Sequence, residues 1–390
     1  MMEKESRLLK LLLRSISYIL VAAVASAITL AVFVPKQEGP SKLDELEALI
    51  LERFIGEADK AAMEDWAAAG MVDALGDEWS YYLPVSQVQS RLDQVSNTYI
   101  GIGVTITVRE DGQGFDVLLV EPDGSAKEAG VLPGDIITAV EGQPAAQLGT
   151  IGAQEIIRGE EGTDVTITVL RDGQSMDITI TRKRVQVQVA SGQLLEGNIG
   201  LVKITNFDER CADETTAAIE ALLEQGATSF IFDVRNNPGG YKNEMVKVLD
   251  YLLPEGVLFR SEYYDGKESV DKSDERCLPL PAAVLVNGDS YSAAEFFAAA
   301  LSEYNWAVIV GEPTYGKGYF QEYFELSDGS GVGLSVGKYF TPNGVSLSEA
   351  GGLTPEILVE VDDETDARIY AGLVDAMEDP QILAAIEALK

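Results

Sequence analysis

The sequence predicts an α/β protein that carries three further parts: one transmembrane helix, a short helical segment and a small, mostly β domain. An uncharged apolar run at residues 15–34 indicates the transmembrane helix. Short β-branched runs separated by glycine turns indicate the β domain at residues 85–185. Over residues 186–390, strand-like and helix-like segments alternate, which is typical of an α/β core with a largely parallel sheet.

Composition restricts the possible chemistry before any motif is considered. The 390 residues include no histidine, which excludes a Ser/His/Asp triad, a Cys/His pair and a His-ligated zinc site. A net charge of −35 disfavours nucleic-acid binding, because phosphate-binding surfaces are basic. We expect neither a metal nor another cofactor. Cys211 and Cys277 fit either one disulfide or two free thiols.

Residues 15–34 are long enough to cross a membrane as a helix. At roughly 1.5 Å per residue, the run spans a hydrocarbon core of about 30 Å. The basic residues before it place residues 1–14 in the cytoplasm and all later residues outside; they are Lys4, Arg7, Lys10 and Arg14. This topology predicts a single-pass protein of the cell membrane. A cleaved signal peptide is the alternative, although its small-x-small site, residues 25–27, lies inside the apolar run.

After the apolar run, residues 35–84 read as a linker and a helical region. Pro35–Lys42 is polar and rich in helix breakers, and residues 43–69 show apolar side chains at three- and four-residue spacing. Residues 70–84, GMVDALGDEWSYYLP, close the region with turn residues and aromatic side chains. In the β domain, the predicted strands are VTITV, FDVLLV, DIITAV, DVTITVL and MDITIT, with short helices at residues 126–129 and 151–157.

The core predicts strands at IGLVKI, FIFDV, AAVLV and WAVIV, with helices near residues 213–224, 243–253 and 293–303. Polar motifs follow three of these strands, at the sheet edge where α/β proteins place their sites. DVRNNPGG, residues 233–240, offers a glycine pair. NGDSYSAAE places Ser292 at a helix start, where helix amides could stabilise an oxyanion. An ordinary helix cap is the alternative for Ser292, and Ser290 could fill either role.

The third motif, GEPTYGKG, contains Lys317. It also fits the first seven positions of a nucleotide-binding Walker A loop, but three features disfavour that reading. Gly318 replaces the Ser/Thr that would hold magnesium, Glu312 would face phosphate, and YFQEYFEL afterwards alternates like a strand. A lysine amine titrates at about 10.4, so a basic role near neutrality requires burial that lowers its pKa to roughly 7–8. The hypothesis is that Lys317 takes the proton of Ser292 while Gln321 orients the amine.

Together, SYSAAE, TYGKG, Gln321 and DVRNNPGG resemble the motifs of the C-terminal processing peptidases, also called tail-specific proteases. GDEWSYYLP, KYFTPNGVSL and GLTPEI agree with the same family. The resemblance implies a core with a crotonase-like or ClpP-like sheet, and it selects Ser292 over Ser290 as the nucleophile. It also implies Lys317 as the base with Gln321 beside it. The oxyanion hole would combine the amide of Gly239 or Gly240 with that of Ala293. Tyr291 and Ala294 depart from the family's small or hydroxyl residues.

The β domain resembles the PDZ domain of that family. YIGIGV supplies a glycine-flanked loop, and GSAKEAGVLPGDIITAVEGQP matches the sequence that follows. By resemblance, this loop binds a substrate's terminal carboxylate through its backbone, and the substrate adds a strand beside it. The predicted loop residues are Ile100, Gly101, Ile102 and Gly103. Arg158, in EIIRGEEGT, would couple the PDZ domain to the active site.

The expected function is a membrane-anchored, extracytoplasmic serine endopeptidase that cleaves proteins near their C-termini through an acyl-enzyme on Ser292. Its partners are proteins or peptides with accessible C-termini and the membrane, with a homo-oligomer as a further option. A catalytically inert PDZ scaffold that only recruits protein tails is the second hypothesis. A crotonase-like enzyme acting on coenzyme A thioesters is a third.

Overall fold

The structure is a computed structural model, and it describes residues 17, 18, 20, 39–109, 111–121 and 123–390. The chain divides into two compact units, Met1–Ala68 and Ala69–Lys390. Every candidate site residue named above belongs to the second unit.

Two helices begin the continuously described chain, α1 (Lys42–Arg53) and α2 (Lys60–Asp73). Ser41 and Asp44 form a capping box at the start of α1, in which the N–H of each residue donates to the side chain of the other. The sequence predicts one helical pattern over residues 43–69, whereas residues 54–59 are not helical. The extended backbone of Phe54 ends α1 at this point.

The structure corrects the predicted fold class in one respect, the transmembrane helix. Across the described residues, no helix has both the length and the apolar composition needed to cross a membrane. The longest of those helices have 14 residues, about 21 Å of rise, which is short of a hydrocarbon core of about 30 Å. Of the predicted span, residues 15–34, only residues 17, 18 and 20 are described, and the rest lies outside the described residues. The predicted single-pass topology with a cytoplasmic N-terminus is therefore withdrawn.

A short region leads into the β domain through β1 (Tyr81–Leu83), α3 (Val85–Val95) and β2 (Thr98–Gly101). β2 pairs antiparallel with Lys183–Gln186, so the chain enters and leaves the β domain along one two-stranded ribbon. Asn97 joins this ribbon to the core, because its Nδ2 donates to the Glu209 carbonyl over 3.1 Å.

The β domain consists of β3 (Val104–Val108), β4 (Phe115–Val120), α4 (Ser125–Glu128), β5 (Ile136–Val140), β6 (Gln143–Pro144), α5 (Ala145–Ile157), β7 (Asp164–Arg171) and β8 (Gln174–Thr181). Its antiparallel sheet has the order β3-β4-β5-β7-β8, with β6 beside β5. Alternate side chains of β7, Val165, Ile167 and Val169, are buried, as expected for a sheet with one covered face. β3 is an edge strand: among the described strands only β4 pairs with it.

The core contains the elements β9 (Lys183–Gln186), β10 (Ala190–Leu195), β11 (Ile199–Ile204), α6 (Cys211–Glu224), β12 (Ser229–Asp233), α7 (Lys242–Leu252), β13 (Gly256–Tyr263), β14 (Glu268–Ser273), β15 (Ala282–Val286), α8 (Ala293–Glu303), β16 (Ala307–Gly311), β17 (Tyr319–Glu325), β18 (Gly331–Phe340), α9 (Leu347–Ala350), β19 (Ile357–Leu358), α10 (Asp363–Tyr370) and α11 (Pro380–Ala388). Its main sheet has the order β10-β11-β12-β15-β16-β19, and all pairs from β11 onward are parallel.

Both faces of the main sheet are covered. Along β15, Val284 and Val286 belong to the apolar cluster shared with α6, α7 and α8, whereas Ala283 and Leu285 belong to the cluster on the opposite face, shared with α11. All five residues of β15 are buried, which is typical of a parallel strand between two helical layers. The predicted alternation of strands and helices is confirmed for this part of the chain.

A second, antiparallel sheet has the order β1-β18-β13-β14, with β17 also paired to β18. β17 begins at Tyr319, directly after the motif that contains Lys317. A nucleotide-binding loop needs a helix at this position, so the strand argues against the Walker A alternative. The hairpin of β17 and β18 places Gln321 opposite Ser335 in the register of the two strands.

Candidate active site

Ser292 lies in the tight loop between β15 and α8 and immediately precedes the first helical residue. Its backbone has φ 59° and ψ −125°, a conformation that is strained for a residue with a side chain. The residue as a whole is buried, with 8% of its surface exposed. Strain of this kind at a serine before a helix is the backbone feature expected of a nucleophile held in one orientation.

Ser290, the alternative nucleophile, is occupied by structural hydrogen bonds. Its hydroxyl donates to the Val234 carbonyl over 2.7 Å and accepts from the Asn287 N–H over 3.0 Å. It is also fully buried. These bonds fix the serine loop against the end of β12, so the Ser290 hydroxyl is engaged in structural contacts. Ser292 forms a capping box with Glu295 at the start of α8, so the predicted helix cap is present at this residue, and its role as nucleophile stays a prediction.

Glu295, the last residue of SYSAAE, connects the serine loop to the lysine loop. Its carboxylate accepts from the N–H groups of Ser292 and Lys317, each over 2.9 Å. It also accepts from the Gly316 N–H over 2.7 Å and from the Thr314 hydroxyl over 2.6 Å. Burial raises the pKa of this carboxyl, and the four hydrogen bonds oppose that rise. Glu295 was not predicted as a site residue from the sequence, although its place in the SYSAAE motif was a usable signal.

The amine of Lys317 is partly buried beside the serine loop. Burial is the largest influence on its pKa, which falls to about 8 despite the opposing attraction of Asp77. Lys317 Nζ donates to Gln321 Oε1 over 2.9 Å and lies 3.9 Å from the centroid of the Trp79 ring. Within the described residues, no hydrogen bond joins Lys317 Nζ to Ser292 Oγ. The structure therefore places Lys317 beside the serine loop, but its amine is not hydrogen-bonded to Ser292.

Gln321 extends the contacts of the lysine into the second sheet. Its Nε2 donates to Ser335 Oγ over 3.0 Å, while its Oε1 accepts from Lys317. Burial acts to raise the pKa of nearby Asp77, whereas hydrogen bonds from the hydroxyl groups of Ser80 and Ser335 lower it. The net effect is a pKa below the ordinary value of an aspartate. Asp77 is thus an ionised neighbour of the site at neutral pH, and it belongs to the GDEWSYYLP segment.

The glycine pair after β12 lies directly against Ser292. A Cβ atom on Gly239 would approach Ser292 Cβ to 2.8 Å and the Ala293 nitrogen to 2.9 Å, so only glycine fits there. The Gly239 N–H already donates to Asn237 Oδ1 over 2.8 Å. Among the described residues, no hydrogen bond is formed by the N–H of Gly240 or by that of Ala293. Gly240 and Ala293 are therefore the pair of candidate oxyanion donors with free amides.

A buried ion cluster fixes the start of this glycine loop. Arg235 pairs with Asp233 over 2.7 Å and with Asp379, the N-cap of α11, over 2.8 Å. Its guanidinium also donates to Gln381. Burial works against the charge of Arg235, yet the two carboxylates raise its pKa. Helix α11 is thereby linked to the loop that carries Gly240, one of the two candidate oxyanion donors.

In the PDZ-like domain, the predicted carboxylate loop lies at the junction of β2 and β3. Ile100 and Gly101 pair with Arg184 and Lys183 in β9. Ile102 is fully buried and its carbonyl accepts from the Ala126 N–H over 2.8 Å. Gly103 has φ 81°, and a Cβ atom there would lie 2.7 Å from Gly124 Cα. The end of the loop therefore packs closely against residues 124–126, beside the open edge of β3.

Arg158 lies at the C-terminal end of α5, where its guanidinium carbon is 5.5 Å from the centroid of the Tyr99 ring. Tyr99 belongs to β2, the ribbon between the two domains. Within the described residues Arg158 makes no contact with Ser292 or Lys317, so its coupling role stays a prediction.

The two cysteines are both free, which decides between the two alternatives. Cys211 is buried, and burial raises the pKa of its thiol to about 12, whereas Cys277 is exposed. In the part of the chain that the structure describes, no group of acidic or cysteine side chains could hold a metal ion.

Comparisons with known proteins agree with this geometry. Residues 198–359 match the model of Peptidase family S41, and residues 117–171 match a PDZ domain model. The chain is 34% identical over 361 residues to the carboxy-terminal processing protease CtpA of Bacillus subtilis (strain 168), covering 88% of this chain and 76% of that protein. It is 32% identical over 301 residues to the chloroplastic carboxyl-terminal-processing peptidase 2 of Arabidopsis thaliana, covering 73% of this chain and 58% of that protein.

Among solved structures, the photosystem II D1 C-terminal processing protease is similar with a TM-score of 0.50 and 26% identity, over 87% of this chain and 92% of that one. The similarity therefore extends across both the PDZ domain and the catalytic core. On this combined evidence the chain belongs to peptidase family S41, as a serine-type carboxy-terminal processing protease with a PDZ domain.

Proposed function

We propose that this protease cleaves protein substrates near their C-termini through an acyl-enzyme on Ser292, with Lys317 as the general base. The observation that carries the proposal is the shared carboxylate of Glu295, which holds the backbone of both residues in one buried site. At pH 7 an amine with a pKa of about 8 is neutral in about a tenth of the molecules. With the ordinary lysine pKa of 10.5, fewer than about one molecule in a thousand would carry the neutral amine.

The reaction begins when neutral Lys317 takes the proton of the Ser292 hydroxyl. The serine oxygen attacks the peptide carbonyl carbon, and the resulting oxyanion accepts hydrogen bonds from the free amides of Gly240 and Ala293. The lysine ammonium then protonates the leaving amine as the peptide bond breaks. Water, deprotonated by the same lysine, hydrolyses the acyl-enzyme and restores the serine.

The lysine side chain has to turn before the first step, since its amine now donates to Gln321 and contacts Trp79. Catalytic hydrogen bonds are often formed only with substrate present, so the observed conformation is compatible with a resting enzyme. In the engaged state, Gln321 would hold one proton of the amine and direct its lone pair toward Ser292. Ser335, which accepts from Gln321, fixes the orientation of the amide.

Substrate tails would bind to the PDZ domain as an added strand. β3 is free on one edge among the described strands, and α5 lies beside it, which is the arrangement that accepts an extended peptide. The loop of Ile100, Gly101, Ile102 and Gly103 would take the terminal carboxylate, and Arg158 would relay occupancy through Tyr99. A homo-oligomer stays a prediction. The inert PDZ scaffold and the crotonase-like enzyme acting on coenzyme A thioesters are disfavoured by the family assignment.

Mass spectrometry of the products from an unfolded protein with a C-terminal tag tests this function. The full-length enzyme is compared with Ser292→Ala and Lys317→Ala, and the exposed residues Ser86 and Lys272 supply matched controls, Ser86→Ala and Lys272→Ala. We expect cleavage near the tag by the wild type and both controls, and none by the two site variants. Equal cleavage by all five proteins would refute the mechanism.

A further inference from the structure

The ring of Trp79 makes a contact that the catalytic proposal does not use. Trp79 belongs to the GDEWSYYLP segment before β1, 238 positions away in sequence from Lys317. Lys317 Nζ lies 3.9 Å from the centroid of its ring, well inside the range of about 6 Å for cation–π attraction. An aromatic face attracts the ammonium form of lysine and has little attraction for the neutral amine.

Two tyrosine rings pack against Trp79 in this position. Its centroid is 5.9 Å from that of Tyr291 and 5.5 Å from that of Tyr315, and the two tyrosine rings are 5.7 Å apart. Tyr291 directly precedes Ser292, and Tyr315 lies two residues before Lys317. The serine loop and the lysine loop thus contribute one ring each to this cluster, and Tyr291 of the serine motif gains a structural role.

Several charged groups face the amine from the surrounding elements. Asp77 and Glu78 lie in the same segment as Trp79, Glu295 lies in α8, and all three favour the ammonium. Arg91 of α3 opposes it. The two tyrosines are the remaining titratable neighbours, and burial raises the pKa of Tyr291. Burial of the amine favours the neutral form most strongly, so the ring face competes with that burial.

We propose that Trp79 is a positioning residue that holds the protonated Lys317 on its ring face, in the resting position, and releases the amine when it loses its proton. The position and the protonation state of the amine are then coupled. The ammonium stays on the ring face of Trp79, whereas the neutral amine leaves the ring and turns to Ser292 while Gln321 keeps its hydrogen bond to it. This inference rests on the proposed role of Lys317 as the base.

The test measures the pKa of Lys317 directly, by competitive acylation of full-length enzyme with acetic anhydride at a series of pH values and mass spectrometry of the Lys317 peptide. Trp79→Leu keeps an apolar cover but removes the aromatic face. We expect it to lower the pKa of Lys317 by about 0.5–1, from a cation–π attraction of roughly 1 kcal/mol. Trp79→Phe has a smaller aromatic face, so its Lys317 pKa should lie between those of the wild type and Trp79→Leu. Trp79→Ala should raise the pKa, because it admits water to the amine.

A merely structural role for Trp79 would not shift the pKa in opposite directions for leucine and alanine. Trp66→Leu, at a tryptophan that is 79% exposed, is the matched control and should leave the value unchanged. The acid limb of the pH profile of kcat/KM should move with the measured pKa. An unchanged or raised pKa in Trp79→Leu would overturn the inference. Acylation measures the pKa of the amine and does not depend on proteolysis. A failure of this inference can therefore be told apart from a failure of the proposed function, which would appear as continued cleavage by Ser292→Ala.

Discussion

Glu295 offers the sharpest test of how the site is built, because one buried carboxylate accepts four hydrogen bonds from two loops. Glu295→Gln keeps the size of the side chain but replaces one acceptor oxygen by an NH₂ group. That group would face two hydrogen-bond donors on one side of the site, either Ser292 N–H with Lys317 N–H or Thr314 with Gly316. Two lost hydrogen bonds to a charged group, with their donors left buried, cost about 2–5 kcal/mol in the free energy of unfolding.

The effect on activity should exceed the effect on stability. A displacement of about 1 Å between catalytic groups can reduce the rate about 100-fold, and Glu295 is the direct link between the Ser292 and Lys317 backbones. Urea unfolding measures the stability, and the rate at which a fluorophosphonate probe labels Ser292 measures the site under conditions where the variant is folded. We expect a lower urea midpoint and at least about 100-fold slower labelling.

Glu303→Gln is the matched control, since Glu303 lies at the other end of α8 and accepts from Thr341 and Asn343. It should lower stability without slowing the labelling of Ser292. Wild-type stability together with wild-type labelling in Glu295→Gln would refute the idea that this carboxylate holds the two loops in register.

Three further predictions concern the surroundings of the site. Ser290→Ala should cost about 1–3 kcal/mol in stability, because it leaves the buried Asn287 N–H without its acceptor and removes one of the two hydrogen bonds to the Val234 carbonyl. The variant should still react with the fluorophosphonate probe, and loss of labelling in a folded protein would contradict the assignment of the nucleophile. Arg235→Met should lower the free energy of unfolding by about 3–5 kcal/mol, because Asp233 and Asp379 stay buried without their cation. Urea titrations measure this change, and a cost under about 1 kcal/mol would show that the ion cluster is not structural. In calorimetric titrations, an amidated substrate tail should bind at least about tenfold more weakly than the free acid, and equal affinity would exclude carboxylate recognition by the PDZ domain.

Four strands of the main sheet could be predicted from sequence because they are short, mostly apolar runs bounded by turn residues. The other two were not predicted, since β10 is largely exposed and polar and β19 has only two residues. AAVLV coincides with β15, and FIFDV includes most of β12. The second sheet was largely missed, since β13, β14 and β18 are only partly buried and carry mixed polar and apolar residues. Such strands have little periodic signal, and their pairing depends on contacts between distant parts of the chain.

The site residues that could be predicted are those that stand in short sequence motifs. Ser292, Lys317 and Gln321 stand in short motifs, and the structure places all three in one region. Glu295 was missed because a carboxylate in a helix usually indicates a solvated face, whereas here it is fully buried. Trp79 was missed as a site residue because only the fold brings its segment to the lysine loop. The choice between Gly239 and Gly240 needed the hydrogen bond of Gly239 to Asn237.

The measurement that tests the central claim most directly is the pH dependence of probe labelling at Ser292, compared between wild type and Lys317→Arg. In the proposed mechanism Lys317 acts as the neutral amine, and its pKa is about 8. The wild-type rate should therefore rise tenfold per pH unit at low pH and level off above about 8. The arginine variant stays charged, so its rate should be about 10²- to 10⁴-fold lower and should lack that rise. The same pH profile and similar rates in both proteins would contradict a neutral Lys317 as the base.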